Sequence, residues 1–345
     1  MNPLINLILL SSMIAGTTLT MTSHHWISAW LGLELNTLAI IPIISKSHHP
    51  RATEASTKYF LIQAASSALV LLAGITNAHL TGTWDISQLS NNFAKIILTT
   101  ALTTKLGLAP VHFWLPEVLQ GVPMLTALII ATWQKIAPMA LLITIWDLIP
   151  THITLAMGFL SIIIGGLGGL NQTQLRKMMA FSSIAHLGWM IAIITIAPNL
   201  SLLNLILYIT LTSSTMLIMH LTSSKTLQNI MLISSHTSTT TSLFMLSLLS
   251  LGGLPPLSGF LPKWLILQEL TVHNLIPLAT MMAVTTLLSL MFYLRTTYIS
   301  TMTLPPSTTP LKNMWRLKPN TNTFIMTPLT LTALFLLPIT PTLTQ

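Results

Sequence analysis

Glu34, Lys105, Lys135 and Lys263 are ionisable residues set near the middle of long apolar runs. An ionised side chain at the centre of a bilayer costs about 2.5–3.5 kcal/mol on insertion scales and more in simulations. A lysine within a turn of a helix end can reach the headgroups, but one at mid-span cannot do so easily. Inward-facing, partly hydrated positions are therefore expected for all four. The chemistry such a set supports is proton transfer. Burial disfavours a charged ammonium and a neighbouring carboxylate favours it, so moving the carboxylate or adding a second cation switches a lysine between holding and releasing a proton. Three lysines on three segments would make a row instead of a single site. The plainer alternative is a static ion pair, for instance Glu34 with Lys105, that locks two helices together. His112 and His186 are weaker members of the set. Each could shuttle a proton near neutral pH, although a lone histidine on an apolar helix is more often hydrogen-bonded structure.

The elements that must position these residues are membrane helices. Charged residues make up only 6% of the 345 positions, against about 25% in soluble domains. The net charge of +8 therefore reports loop topology and not nucleic-acid binding. A hydrocarbon core of about 30 Å needs about 20 apolar residues per crossing. On that measure about eleven spans are expected, at 3–21, 25–44, 56–79, 94–120, 124–146, 152–170, 176–196, 201–222, 238–270, 275–298 and 323–342. Two of them, 94–120 and 238–270, are too long for one straight crossing.

Those two long spans carry related interruptions. Gly107 to Leu119 reads G-L-A-P-V-H-F-W-L-P-E-V-L, and Gly253 to Leu265 reads G-L-P-P-L-S-G-F-L-P-K-W-L. The copies lie 146 residues apart, with Gly, Leu, Pro, Leu and Pro identical at 107/253, 108/254, 110/256, 115/261 and 116/262. Matching breaks in two halves of a membrane chain point to an internal repeat with an ion pathway at the breaks. Pro110 and Pro116 leave the carbonyls of Leu106 and His112 without helical donors, Pro138 does so for Gln134, and Pro256 for Gly252. Irregular backbone at membrane depth is tolerated where it is buried in protein or lines water, so these carbonyls are expected to hold water beside the lysines. A simple packing kink is the alternative, most of all for Pro138.

Alternate loops collect Lys46, Arg51 and Lys58, then Arg176 and Lys177, then Lys225, then Arg295, Lys312, Arg316 and Lys318. By the positive-inside rule these face the inner compartment, with the N-terminus inside and the C-terminus outside. The broken spans are the fourth and ninth, five apart, so they should cross in opposite directions. The expected organisation is a five-helix repeat over 1–150, an inverted five-helix repeat over 151–298, an inside linker over 299–322 and a terminal helix within 323–345.

Several function classes are excluded or unsupported. No cysteine is present, so there is no disulfide, thiolate metal site or Cys nucleophile. Gly165-Gly166-Leu167-Gly168-Gly169 lacks the Lys-Thr/Ser of a phosphate loop and reads as close helix packing. His24, His25, His48 and His49 read as loop surface, and no metal site is expected. Glu117, Asp147 and Glu269 lie near span ends and read as solvated by default, with a partner subunit or the relay as the alternative for Glu117. The start Met1-Asn2-Pro3-Leu4 has no basic n-region, so neither a cleaved signal nor an Arg-rich transit peptide is expected. No haem, flavin or other redox motif is visible.

With the paired breaks and buried charges in view, the chain resembles the antiporter-like subunits of respiratory complex I, which are similar to subunits of the multi-subunit cation/proton antiporters. Trp30–Asn36 (W-L-G-L-E-L-N), Leu108–Glu117 (L-A-P-V-H-F-W-L-P-E) and Gly252–Trp264 (G-G-L-P-P-L-S-G-F-L-P-K-W) carry the resemblance. It implies that Glu34 is the family's buried glutamate, Lys105 its broken-helix lysine, Lys135 its central lysine and Lys263 its distal basic residue. It implies a proton-translocating module of an NADH:ubiquinone reductase in the mitochondrial inner membrane. NADH, FMN, iron–sulfur clusters and ubiquinone would sit in other subunits, with no cofactor in this chain. Implied partners are other membrane-arm subunits, among them neighbouring antiporter-like subunits, and lipids such as cardiolipin. The typical family member has three more N-terminal helices, so accessory subunits or lipid should cover the shortened flank. His186 has no acidic counterpart matching Glu34, which weakens the equivalence of the two halves. A cation/proton antiporter subunit and a structural spacer remain as alternatives.

Overall fold

The structure, a computed structural model, describes residues 3–234, 238–302, 326–335 and 337. Most of the expected 299–322 linker, with Lys312, Arg316 and Lys318, and the ends of the expected 323–342 span lie outside the described residues. Within them the chain is helical, joined only by short turns and two isolated bridges. In order the helices are α1 (Pro3–Thr22), α2 (Trp26–Ile44), α3 (Pro50–Thr81), α4 (Asn92–Leu106), α5 (Trp114–Gly121), α6 (Met124–Ala131), α7 (Trp133–Thr144) and α8 (Thr151–Leu170). They continue with α9 (Leu175–Ile194), α10 (Pro198–Leu221), α11 (Leu227–Ser234), α12 (Ser238–Gly252), α13 (Phe260–Val272), α14 (Ile276–Met302) and α15 (Met326–Phe335).

Eight segments are long and apolar enough to cross a membrane, α6 and α7 together counting as one. The pairs α4/α5 and α12/α13 are the two long spans, each split by a break. The chain is thus a polytopic all-helical membrane protein, while the figure of eleven spans is not reached by the long helices alone. Helix α3 begins six residues before the expected boundary because Pro50 starts it and the His49 side chain accepts from the Arg51 backbone N–H. Lys58 therefore lies on a helix and not in a loop. The expected 124–146 span is also not continuous. It breaks at Thr132 (φ −113°, ψ −68°), whose hydroxyl donates back to the Leu128 carbonyl at 2.8 Å.

Helix α9 is the centre of the fold. Seventeen of its 20 residues are buried, and it packs against α8, α10, α5, α6 and α13. Its close partner α8 presents the glycine run as a packing surface. A Cβ at Gly165 would stand 2.7 Å from the Ala185 backbone nitrogen, and one at Gly169 2.7 Å from the Phe292 ring. Loops of like parity meet at each end. His25 bridges Asp85, with their side chains 3.4 Å apart, and Gln174 bridges Thr226. Arg176 donates to the Val122 carbonyl, and Gly121 lies against the Arg51 backbone. The first and third loops thus join at one end, while the second, fourth, sixth and eighth lie at the other.

Candidate functional site

The two breaks are closed by the same local chemistry. Helix α4 stops at Leu106 and α12 at Gly252, and each is followed by a glycine in the left-handed region, Gly107 at φ +82° and Gly253 at φ +80°. Glycine adopts this conformation without the Cβ clash that penalises other residues. After each, a backbone N–H reaches five residues back: Leu108 to Thr103 at 3.0 Å and Leu254 to Leu249 at 3.4 Å. This is the Schellman closure of a helix C-terminus, and every member is shifted by the same 146 residues. The following half-helices start at Trp114 and Phe260, again 146 apart.

Equivalent carbonyls are left over at the two ends, and lysines take both. Lys135 Nζ donates to the Leu106 carbonyl, and Lys263 Nζ to the Gly252 carbonyl at 2.8 Å. A cation there also meets the negative end of the helix dipole. The lysines arrive by different routes. Lys135 comes from α7, the next span, whereas Lys263 folds back from the second half of its own broken span. Lysines thus donate directly to two of the carbonyls released by the prolines. The His112 carbonyl, freed by Pro116, accepts instead from the Leu115 N–H at 3.1 Å.

Lys105 and Lys135 meet around a small cavity of about 10 Å³, lined also by Asn36, Thr37, Tyr59, Gln63, Trp114 and Gln134 among others. That is room for about one water. Glu34 does not line it but acts electrostatically on Lys105 and Tyr59. Lys105 and Lys135 are 4% and 1% exposed, so neither ammonium reaches bulk solvent. Lys105 Nζ and Glu34 Oε2 are buried and have no hydrogen-bond partner among the described residues, and Glu34 and Lys105 form no ion pair with each other. The static-pair alternative is therefore not what the geometry contains. Lys135 Nζ also lies 5.8 Å from the centre of the Trp114 ring, within cation–π range.

Polar groups missed at the level of sequence hold this cluster. Gln134 donates to the Asn36 side chain at 3.0 Å, tying α7 to α2. Gln63 donates to the Lys105 carbonyl at 3.3 Å, and Trp114 to that of Thr104 at 3.2 Å. Amides within apolar runs were the available signal for the first three. Tyr208 donates to the Ala131 carbonyl at 3.0 Å, at the Thr132 break that proline counting does not reveal.

The histidines separate. His186 is buried on α9, its ring 5.8 Å from that of Tyr208, and the groups acting on it electrostatically include Lys263 and the Leu251 carbonyl. It therefore stands beside Tyr208, within the electrostatic reach of Lys263. His112 is buried in the first break but contacts the Pro110 carbonyl at 3.1 Å and the Phe113 ring, and it does not line the cavity. Glu117 is half exposed, as a solvated span end would be, and pairs with Lys58 at 2.7 Å. Among the described residues no cluster of three or more His, Asp or Glu could hold a metal.

Comparison with known proteins fits this geometry. Residues 23–289 match the family described as NADH:quinone oxidoreductase/Mrp antiporter, TM, and 290–344 match NADH dehydrogenase subunit 2 C-terminus. The NADH-ubiquinone oxidoreductase chain 2 of Varanus nebulosus is 82% identical over 345 residues, covering all of both chains. That of Latimeria chalumnae is 54% identical over 344 residues, 99% of each. Among solved structures, a chain of respiratory complex I from Thermus thermophilus superposes with a TM-score of 0.85 at 23% identity, over 99% of this chain and 80% of that one. A chain of the Mrp complex from Dietzia sp. gives 0.75 at 18%, over 85% and 59%. The chain belongs to the NADH:quinone oxidoreductase/Mrp antiporter family of membrane subunits.

Proposed function

We propose that this chain is a proton-translocating, antiporter-like core subunit of NADH:ubiquinone oxidoreductase in the mitochondrial inner membrane. The observation that carries the reading is the paired break, with equivalent half-helix carbonyls held by Lys135 and Lys263 and an unpaired Lys105 beside Glu34. An ammonium without a partner is easily perturbed by a nearby charge, because no hydrogen bond fixes its protonation state. A change of field at Glu34, driven by electron transfer in other subunits, drives a proton from Lys105 to Lys135, and His186 links Lys135 onward to Lys263. The chain binds, orients and moves protons, while NADH, FMN, iron–sulfur clusters and ubiquinone belong to other subunits.

The two halves, 1–150 and 151–298, act as inverted repeats, with the Lys46, Arg51 and Lys177 end on the matrix side. Other membrane-arm subunits flank them, and accessory subunits or lipids such as cardiolipin cover the α1 flank. Full-length identity to relatives named for NADH-ubiquinone oxidoreductase favours this reading over a cation/proton antiporter, whose solved relative is covered over only 59%.

A native gel of mildly solubilised membranes, probed for this chain and stained for NADH oxidation, tests the assignment. Migration in a very large NADH-oxidising band is expected. A smaller band without that activity would overturn it and move the test to cation dependence.

A further inference from the structure

At the end of the molecule that gathers the even-numbered loops lies a polar basin of about 270 Å³, lined by Arg51, Glu54, Lys58, Glu117, Gln120 and Lys177. Its acids and bases come from α3, α5 and α9. Lys58 pairs with Glu54 at 2.5 Å on its own helix and with Glu117 at 2.7 Å on α5, so one ammonium staples α5 to α3. Directly behind it stand two buried aromatic residues. Tyr59 follows Lys58 on α3, and Trp114 lies three residues before Glu117 on α5. Their rings meet edge to face, 5.7 Å between centres. On the inner side both rings line the cavity that holds Lys105 and Lys135. Ile40, Ala55, Leu115, Val118 and Ile130 complete an apolar plug around them. A proton cannot cross such a plug without water or a polar side chain to carry it.

We propose that this basin takes up protons for the lysine row, and that the Tyr59–Trp114 ring pair is a closed gate released by protonation of Glu117. The proposal rests on the proton-relay reading and adds its uptake route. A proton from bulk water neutralises the Glu117 carboxylate, which removes one of the two charges holding Lys58. Helix α5 is only eight residues long and is joined to α4 through the non-helical break at 107–113. A shift of α5 has to break the Trp114–Thr104 hydrogen bond to α4 and to part the Trp114 ring from the Lys135 ammonium. Its shift carries Trp114 off Tyr59, and water joins basin to cavity. The proton then passes to a Lys105 that has given its own to Lys135, and Glu117 returns to a carboxylate that re-pairs with Lys58. Arg51 and Lys177 keep the basin positive and Glu54 keeps Lys58 in place meanwhile.

The absence of native cysteine in the chain makes a labelling test direct. Gln63→Cys places one thiol on the inner cavity, and its modification by a small water-soluble thiol reagent is followed in the assembled complex in sealed membrane vesicles of either orientation. Slow labelling is expected with Glu117 intact. In the Glu117→Gln background, labelling should be about fivefold faster, as loss of a half-exposed ion pair implies, and only from the basic-loop face. Lys58→Met cuts the same staple from the other helix and serves as the second variant. Labelling that neither variant speeds, or that comes from the opposite face, overturns the gate. Proton output per NADH oxidised separates the two levels. If Lys105→Met lowers it and Glu117→Gln does not, the uptake route is wrong and the relay stands. If Lys105→Met leaves it normal, the relay itself fails. The expected result is that both lower it and that Glu117→Asp restores it.

Discussion

Substituting alanine for Gly253 should dislodge Lys263 from its carbonyl without touching the lysine. Gly253 sits at φ +80°, so an added Cβ costs about 1–2 kcal/mol of backbone strain. That Cβ would also lie 2.9 Å from Lys263 Nζ, 3.0 Å from its Cδ and 3.2 Å from its Cε. The side chain is the movable party, and moving it breaks the 2.8 Å bond to the Gly252 carbonyl. A hydrogen bond to a charged group contributes about 1.5–3 kcal/mol, so the ammonium should leave that position by roughly tenfold to hundredfold in population. Gly82→Ala is the matched control. Gly82 has φ +71° and nothing within 4 Å of its would-be Cβ, so it carries the strain alone. The assay compares assembled complex on native gels, then proton output per NADH oxidised in sealed vesicles. Both variants should assemble with a modest loss of thermal stability, and only Gly253→Ala should lose proton output. If the two variants pump equally well, the position of Lys263 on the half-helix end has no role in translocation.

Other expected outcomes are simpler to state. Lys135→Met removes the donor to the buried Leu106 carbonyl, worth about 1–3 kcal/mol, but also removes a buried charge. The assembled complex should therefore persist while proton output falls, and loss of assembly in step with output would favour a spacer role. Tyr208→Phe strips the Ala131 carbonyl of its donor at the Thr132 break, again about 1–3 kcal/mol. A lower midpoint in thermal unfolding of the complex checks it, and an unchanged midpoint would mean that the bond contributes nothing. Gly32→Val should separate α1 from α2, because its Cβ would meet the Gly16 carbonyl oxygen at 2.8 Å and Thr20 Cγ2 at 2.7 Å. Overpacking of this kind costs about 1–3 kcal/mol, read as reduced assembled complex on a native gel, and Gly82→Ala should show no comparable reduction.

Much of the site was legible because charge is so expensive in lipid. Four ionisable residues in mid-span stand out in a chain with so few charges, and two of them, Lys105 and Lys135, line one small cavity, with Glu34 close enough to act electrostatically on Lys105. The breaks were legible too, since proline and glycine act on the backbone within one turn. Their equal spacing in sequence became equal capping in space. Less visible were the amides and rings that hold the cluster. Asn36, Gln63 and Gln134 look like ordinary polar interruptions until α2, α3, α4 and α7 are packed together. The break at Thr132 has no proline in it and depends on a hydroxyl turned back onto its own helix.

The sequence by itself determined the membrane class, the positions of most spans, the two matched interruptions and which carbonyls the prolines would release. These follow from hydropathy and covalent geometry, which act locally. Only the tertiary structure decided who answers those carbonyls. Leu106 and Gly252 are equivalent in sequence, yet one is met by a lysine from the following span and the other by a lysine of its own span. It also decided that Glu34 and Lys105 form no ion pair, that His186 lies by Tyr208 within reach of Lys263 while His112 contacts the Pro110 carbonyl, and that Glu117 is tied to Lys58. Apart from the local His112 contact, each of these depends on distances between helices. Those distances are set by how closely the helices pack, as where Gly121 at the end of α5 lies against Ala55 and Arg51 of α3, and no single stretch of sequence records the result.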